Sequence, residues 1–382
     1  MKTALEQQIR RSAETVVRDV CALKRGERAL IVSNRGPVQA VAEALYDASA
    51  DAGAVPTLIL QGEKTLLDNA DGAVLEALRS APDALFSISA QKLGKDPAGT
   101  ARPYAAPDGK TYTHLFDYLL HGTKTLRAIW TPGITPDIFA RTVNINYAEL
   151  KERCAALRAL FRGVRSVRVT SPGGTDISVP VAGRSAFADD GSFALPGTGG
   201  NIPAGEVYIS PNVGSGEGTG CRGTIVFDGS ISLLNGTRII DTPIAVSVAD
   251  GFVSAVEGGA EAEALSAALA EAEGAARAKE AAGLLPAGEG ARYAKNARHI
   301  GELGIGLNPA AAVRGNMLED EKAFKTCHFA VGSNYDGDAD ALIHLDGVVL
   351  NPTLVFEYGD GRTLTVEKDG ALLLPSAENG RR

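Results

Sequence analysis

His344 and Asp346 stand two apart in the apolar run Ala341-Leu342-Ile343-His344-Leu345-Asp346-Gly347-Val348-Val349-Leu350. Side chains two apart on a strand leave the same face, so an imidazole and a carboxylate project together, a pair suited to one metal ion. Two other stretches have the same character. Asn201-Ile202-Pro203-Ala204-Gly205-Glu206-Val207-Tyr208 and Gly301-Glu302-Leu303-Gly304-Ile305-Gly306-Leu307-Asn308-Pro309 each set one carboxylate among Gly, Pro and apolar residues. A carboxylate in such surroundings is costly without a cation, a metal or a hydrogen-bond partner. Glu206, Glu302, His328, His344 and Asp346 therefore ask for a shared explanation, and a metal site of nitrogen and oxygen ligands supplies one. Taken singly, Asp346 reads equally as the first residue of an Asp-Gly turn and His344 as a hydrogen-bonded strand residue.

Elements must position these groups, and the composition allows them. The chain has 382 residues, 45% apolar and 22% charged, enough for two domains of ordinary globular composition. A formal charge of −8, with no cluster of Lys and Arg, argues against a nucleic-acid partner. No apolar stretch has the length of a membrane span, and Met1 to Arg10 is charged and amphipathic rather than a signal-peptide core, so the expectation is a cytoplasmic protein without a membrane partner. The four cysteines, Cys21, Cys154, Cys221 and Cys327, form no CxxC pair, which speaks for reduced thiols. Cys327 reads as core, since its neighbour His328 would point to the opposite strand face.

The first part alternates helix and strand: a helix over Ala4–Leu23, a strand over Arg28–Ser33, a helix from Pro37 to Ala52, then strands at Pro56–Leu60, Ala84–Ser89 and Leu126–Thr131. This predicts a small parallel sheet covered by helices, with the turn Ser33-Asn34-Arg35-Gly36-Pro37 at a strand's carboxyl end. A helix over Tyr147–Gly163 leads into a glycine- and strand-rich part. There Asp228-Gly229, Asp250-Gly251, Asp346-Gly347, Asp360-Gly361 and Asp369-Gly370 each sit where a hairpin would turn. A long helix over Ala260–Leu285 and a shorter one around Arg292–Ile300 interrupt the strands. The expected class is α/β, a small parallel-sheet domain over 1–146 followed by a strand-rich mixed α+β metal-binding domain over 147–382. The tail, Glu378-Asn379-Gly380-Arg381-Arg382, reads as a solvated end, and Asp336-Gly337-Asp338-Ala339-Asp340 as a solvated turn rather than a calcium loop.

Three phrases carry a resemblance: Asn201 to Val207, Glu302 to Pro309, and His328-Phe329-Ala330-Val331-Gly332 running on to Tyr335 and then His344-Leu345-Asp346. In them the sequence resembles the M29 family of metallo-aminopeptidases, the aminopeptidase T and aminopeptidase S group. The resemblance implies hydrolysis of a small peptide or amide from its N-terminus. It implies two divalent ions (Zn, Co or Mn) on Glu206, Glu302, His328, His344 and Asp346, Tyr335 as catalytic tyrosine, and a homodimer. In such a centre carboxylates bridge the ions and a bound hydroxide attacks the carbonyl. Glu302 is then the bridge or general base, and Tyr335 donates to the tetrahedral intermediate.

The alternative reading keeps the scaffold and changes the reaction. Dihydroxypyridine dioxygenases look like M29 relatives but hold one Fe(II) with two histidines and one aspartate, a facial triad with open positions. His344 and Asp346 serve that site equally well. The third ligand would be a histidine where Glu302 stands, and His299, three residues earlier, is the substitute within reach of sequence. His114 and His121 lie outside the matching phrases and read as structural.

Overall fold

The structure, a computed structural model, describes residues 3–65, 68–216 and 218–374; the expected solvated tail at 378–382 lies outside them. It has the expected α/β class, with one parallel sheet and a strand-rich mixed part. The chain divides into a unit of residues 1–151 with 189–204 and a unit of 152–188 with 205–382.

The first unit opens with the helix Ala4–Thr15, started by a capping box in which Thr3 accepts from the Glu6 amide and Glu6 accepts from the Thr3 amide. Its continuation over Val16–Val20 widens to a π-helix, and regular α-helix stops short of the expected Leu23. The sheet runs in the order Gly199–Asn201, Arg127–Trp130, Ala84–Ile88, Arg28–Asn34, Val55–Gln61, every pairing parallel. Six of the seven residues of Arg28–Asn34 are buried, because a strand covered on both faces needs an unbroken apolar run rather than alternation. Asn34, at the carboxyl end of that strand, ties three chain segments together. Its side-chain amide donates to the Gln61 and Gly62 carbonyls, and its Oδ1 accepts from the Ala90 amide. The turn after it is thus anchored by structure.

The second unit is built on two antiparallel sheets. One has the order Gly236–Ile239, Ser230–Leu233, His344–Leu350, Thr326–Gly332, Ile300–Gly306, Glu206–Ile209, Phe187–Asp189. The other has eight strands, among them Arg222–Phe227, Val164–Thr170 and Thr353–Tyr358. The long helix Ala260–Ala281 buries the stripe Ala262, Leu265, Ala268, Leu269, Ala272 and Ala276, small residues that allow close packing. The following helix, Glu289–Asn296, ends earlier than expected, and Ile300 already belongs to the Glu302 strand.

Three of the five Asp-Gly pairs turn hairpins. Asp250-Gly251 and Asp369-Gly370 fill two-residue loops, all four residues with positive φ, the conformation that follows the right-handed twist of the flanking strands. Asp360-Gly361 lies in the longer loop between Thr353–Tyr358 and Thr363–Lys368. The other two depart from expectation. Asp228-Gly229 passes the chain from one sheet to the other. Asp346-Gly347 lies inside the strand His344–Leu350, where a Cβ on Gly347 would run into the ring of Phe227 from the other sheet. That glycine makes room for packing and does not bend the chain. Among the described residues no helix is long and apolar enough to cross a membrane.

Candidate metal centre

Four neighbouring strands carry the polar cluster, and their register decides which way each side chain points. Asp346 lies opposite Ala330, and Ala330 opposite Glu302; His328 lies opposite Gly304, His344 opposite Gly332, and Glu206 opposite Gly306. Residues directly opposite share a face, as do residues two apart. Glu206, Tyr208, Glu302, His328, His344 and Asp346 therefore all project from one face of this sheet. Their opposite partners are small. A Cβ on Gly304 would collide with the imidazole of His328, so the ring lies across that glycine to reach its neighbours.

The side chains form a chain of contacts. Glu206 Oε2 is 3.4 Å from His328 Nε2, which is 3.3 Å from Glu302 Oε1. Glu302 Oε2 is 3.3 Å from His344 Nε2, which is 3.3 Å from Asp346 Oδ1. Two three-residue groups result, Glu206/Glu302/His328 and Glu302/His344/Asp346, each offering one ligand atom per residue within 4.8 Å of the others, with Glu302 common to both. Bonds of about 2.1 Å to a tetrahedral metal would place ligand atoms about 3.4 Å apart, so the spacing suits a shared ion. One further mark agrees: Glu206 Oε2 is buried without a hydrogen bond. The residues present fit a divalent metal.

His344 Nδ1 lies 2.9 Å from the Ser333 carbonyl. A carbonyl only accepts, so Nδ1 holds a proton, and Nε2, the nitrogen facing the carboxylates, is the one a metal would take. Without a metal, charge is balanced by protons. Burial works to raise the Glu302 carboxyl, but the hydrogen bonds and charges of His328 and His344 prevail and hold it at about 2. Burial lowers His328, and Glu302, Glu206 and Asp346 together lift it to about 9. His344 rises well above its ordinary value for the same reason, Asp346 being the strongest influence after burial. Burial pushes Glu206 to about 8, with Lys322 pulling the other way.

Lys322 was not legible as a site residue. It has no exposed surface, and its Nζ is 2.6 Å from Glu206 Oε1 and 2.6 Å from Glu321 Oε1. Tyr335 reaches the cluster through its ring, 5.3 Å from that of His344, edge to face, and 5.2 Å from that of Tyr208. Tyr208 in turn stacks on Phe187 at 5.5 Å, which makes a row of four rings ending on His344. Burial and the carboxylates of Glu302, Asp346, Glu321 and Glu206 raise the Tyr335 phenol; with 58% of the residue's surface open, the charges set that direction.

His299 does not substitute for Glu302. It is fully buried, packs edge-on against Phe252 at 5.5 Å, and belongs to neither three-residue group. The acidic turn after Tyr335 is held by arginines: Asp338 Oδ2 accepts from Arg184 and Asp340 Oδ2 from Arg292. All four cysteines are buried thiols outside any disulfide, Cys327 among them. His114 uses both ring nitrogens, accepting from the Phe116 amide and donating to the Gly94 carbonyl. It lines, with His121, Phe116 and Trp130, a cavity of about 410 Å³ in the first unit.

Comparison with known proteins gives this geometry a family. Residues 117–346 match NicX, 2,5-dihydroxypyridine 5,6-dioxygenase, a stretch that takes in every member of the cluster. The chain belongs to the 2,5-dihydroxypyridine 5,6-dioxygenase family. A curated 2,5-dihydroxypyridine 5,6-dioxygenase of Pseudomonas putida KT2440 is 29% identical over 144 residues, and the match spans 38% of this chain and 38% of that protein's length. The solved structure of a 2,5-dihydroxypyridine dioxygenase from the same organism superposes with a TM-score of 0.68 at 18% identity, covering 97% of this chain and 98% of that one. Wild-type AmpT from Thermus thermophilus, an M29 aminopeptidase, superposes with a TM-score of 0.63 at 18% identity, covering 97% and 100%. Both likenesses show the fold, so the M29 resemblance stands at that level, while family membership lies with the dioxygenases.

Proposed function

We propose that this chain is a ring-cleaving dioxygenase acting on a dihydroxylated pyridine, with one ferrous ion held by Glu302, His344 and Asp346. The observation that carries this reading is the family match over residues 117–346, which contains all three residues. The row Phe187, Tyr208, Tyr335 and His344 supports it, because stacked and edge-on rings beside the cluster suit a flat aromatic substrate better than an extended peptide.

A bound ferrous ion would supply open positions at which oxygen and a substrate hydroxyl meet. The chain's own residues do the rest. Glu302 and Asp346 contribute two negative charges that match the ion, and His344 presents Nε2 because its Nδ1–H is tied to Ser333. His328 donates from Nε2 to Glu302 Oε1 and so orients that carboxylate without needing to be a ligand. The donor set, one imidazole and two carboxylates, is more anionic than a two-histidine triad, which departs from the ligand identity expected of a dioxygenase.

One observation favours a second reading, a dinuclear aminopeptidase. The group Glu206/Glu302/His328 shares Glu302 with the first, the arrangement of a bridging carboxylate. The two readings separate in one experiment. Protein loaded anaerobically with Fe(II) and given 2,5-dihydroxypyridine is expected to consume oxygen as the ring absorbance disappears. Zinc-, cobalt- or manganese-loaded protein that releases amine from aminoacyl amides, with no oxygen uptake by the iron form, would overturn the proposal in favour of the hydrolase.

A further inference from the structure

One buried amine at this centre has no part in the function just proposed. Lys322 is completely buried, and burying an ammonium is costly unless it is closely paired. Its partners are Glu206 Oε1 and Glu321 Oε1, each at 2.6 Å. Carboxyl groups this close favour the charged form of the amine, and the amine in turn pulls the Glu206 carboxyl down against its burial. Glu206 is at the same time a member of the group Glu206/Glu302/His328, the position where a second metal would bind.

The lysine is not there by accident of a loose side chain. Its backbone carbonyl accepts from the Asn308 amide, and the next residue presses on the end of the Glu302 strand, where a Cβ on Gly306 would collide with the Ala323 carbonyl. The glycine therefore lets residues 322–323 lie directly against the strand that supplies Glu302. From that anchorage the four-carbon stem delivers Nζ to the far carboxylate of the cluster. A divalent ion could reach only Glu206 Oε2, because Oε1 already accepts from Lys322 Nζ, and would set two more charges beside the ammonium in a place with little water to screen them.

We infer that Lys322 is the built-in cation of this centre: its ammonium takes the place of a second divalent ion at Glu206 and His328. The chain then binds one metal ion, at Glu302, His344 and Asp346. This deepens the single-metal reading and rests on it for the identity of the ion, but not for the count.

The test is metal stoichiometry. Metal-free protein, prepared by chelation and dialysis, is titrated calorimetrically with Mn(II), Zn(II) and, without oxygen, Fe(II), and the loaded protein is assayed by elemental analysis. Wild type is expected to take one equivalent, and Lys322→Met, which frees both carboxylates, two. A Lys322→Met/Glu206→Gln double variant should return to one. Glu206→Gln with Lys322 in place should keep one equivalent with an affinity within about threefold of wild type, because in this arrangement Glu206 serves the ammonium. Two equivalents in wild type, one equivalent in folded Lys322→Met, or loss of binding in Glu206→Gln each overturns the assignment. Should Lys322→Met fail to fold, wild type and Glu206→Gln still decide. The dioxygenase reading fails separately: one equivalent bound with no turnover of a dihydroxypyridine sinks that reading and leaves Lys322 in its role.

Discussion

Glu302 is the residue on which both three-residue groups depend, since its two oxygens face two different imidazoles. An amide there could neither carry the negative charge a metal needs nor accept from His328 in the same way. Glu302→Gln is therefore expected to fold, by circular dichroism, yet to lose metal affinity by more than the roughly 10- to 100-fold that outer partners of metal ligands contribute, and to lose turnover. Calorimetric binding at wild-type strength would remove Glu302 from the centre. Tyr335 allows a finer division, because its ring and its hydroxyl are separable. The ring covers His344 and continues the aromatic row, so Tyr335→Ala should raise KM about tenfold, the scale of one lost aromatic contact. Tyr335→Phe keeps the ring and should leave KM unchanged, while kcat falls by about 10² if the phenol donates to developing charge. Steady-state kinetics on the two variants tells these roles apart, and a Phe variant with wild-type kcat confines Tyr335 to stacking.

At the scale of elements, the centre exists because four strands present alternate residues to one face and glycines leave space between them. Gly304→Ala tests this directly. The added methyl must displace the His328 ring, so stability should fall by about 1 to 3 kcal/mol, the usual cost of overpacking, and metal affinity should fall with it because Glu302 loses its oriented donor. Chemical unfolding and a metal titration on the same variant check both, and a variant as stable as wild type would show that the ring has other room. This register explains what was legible beforehand. His344 and Asp346 could be placed on one face from strand parity alone, and Glu206, Glu302 and His328 from phrases of Gly, Pro and apolar residues. Pairing Glu206 with Gly306, a hundred residues apart in the chain, could not be read from local pattern. Lys322 escaped because Glu319-Asp320-Glu321-Lys322 has the composition of a solvated helix. Glu319 and Asp320 are instead fully buried, accepting from the amides of Ala312, Arg314 and Gly315, and the turn they hold carries Lys322 inward. Asp346-Gly347 misled for a related reason: a glycine needed for φ and one needed for an approaching Phe227 ring look identical in sequence.

At the scale of the whole molecule, the chain shares its fold with a dihydroxypyridine dioxygenase and with an M29 aminopeptidase, and a fold alone does not choose a reaction. The chain's global stability should carry a separate signature, from a histidine outside the cluster. His299 is fully buried, both ring nitrogens lack hydrogen-bond partners, and burial lowers it from the ordinary 6.5 to about 4. The unfolded chain takes up a proton near pH 6.5 while the folded chain resists until about pH 4, so below 6.5 protonation favours unfolding. The contribution of the neutral imidazole is complete above pH 6.5 and is lost progressively as pH falls toward 4. Between pH 7 and pH 5 the loss should be about 2 kcal/mol from this one group. His299→Phe keeps a ring for the contact with Phe252 and cannot titrate, so its unfolding free energy, measured by urea at both pH values in metal-free protein, should drop about 2 kcal/mol less than that of wild type. Equal drops in the two proteins would mean that His299 finds a proton partner on folding and that the acid sensitivity of the fold lies elsewhere.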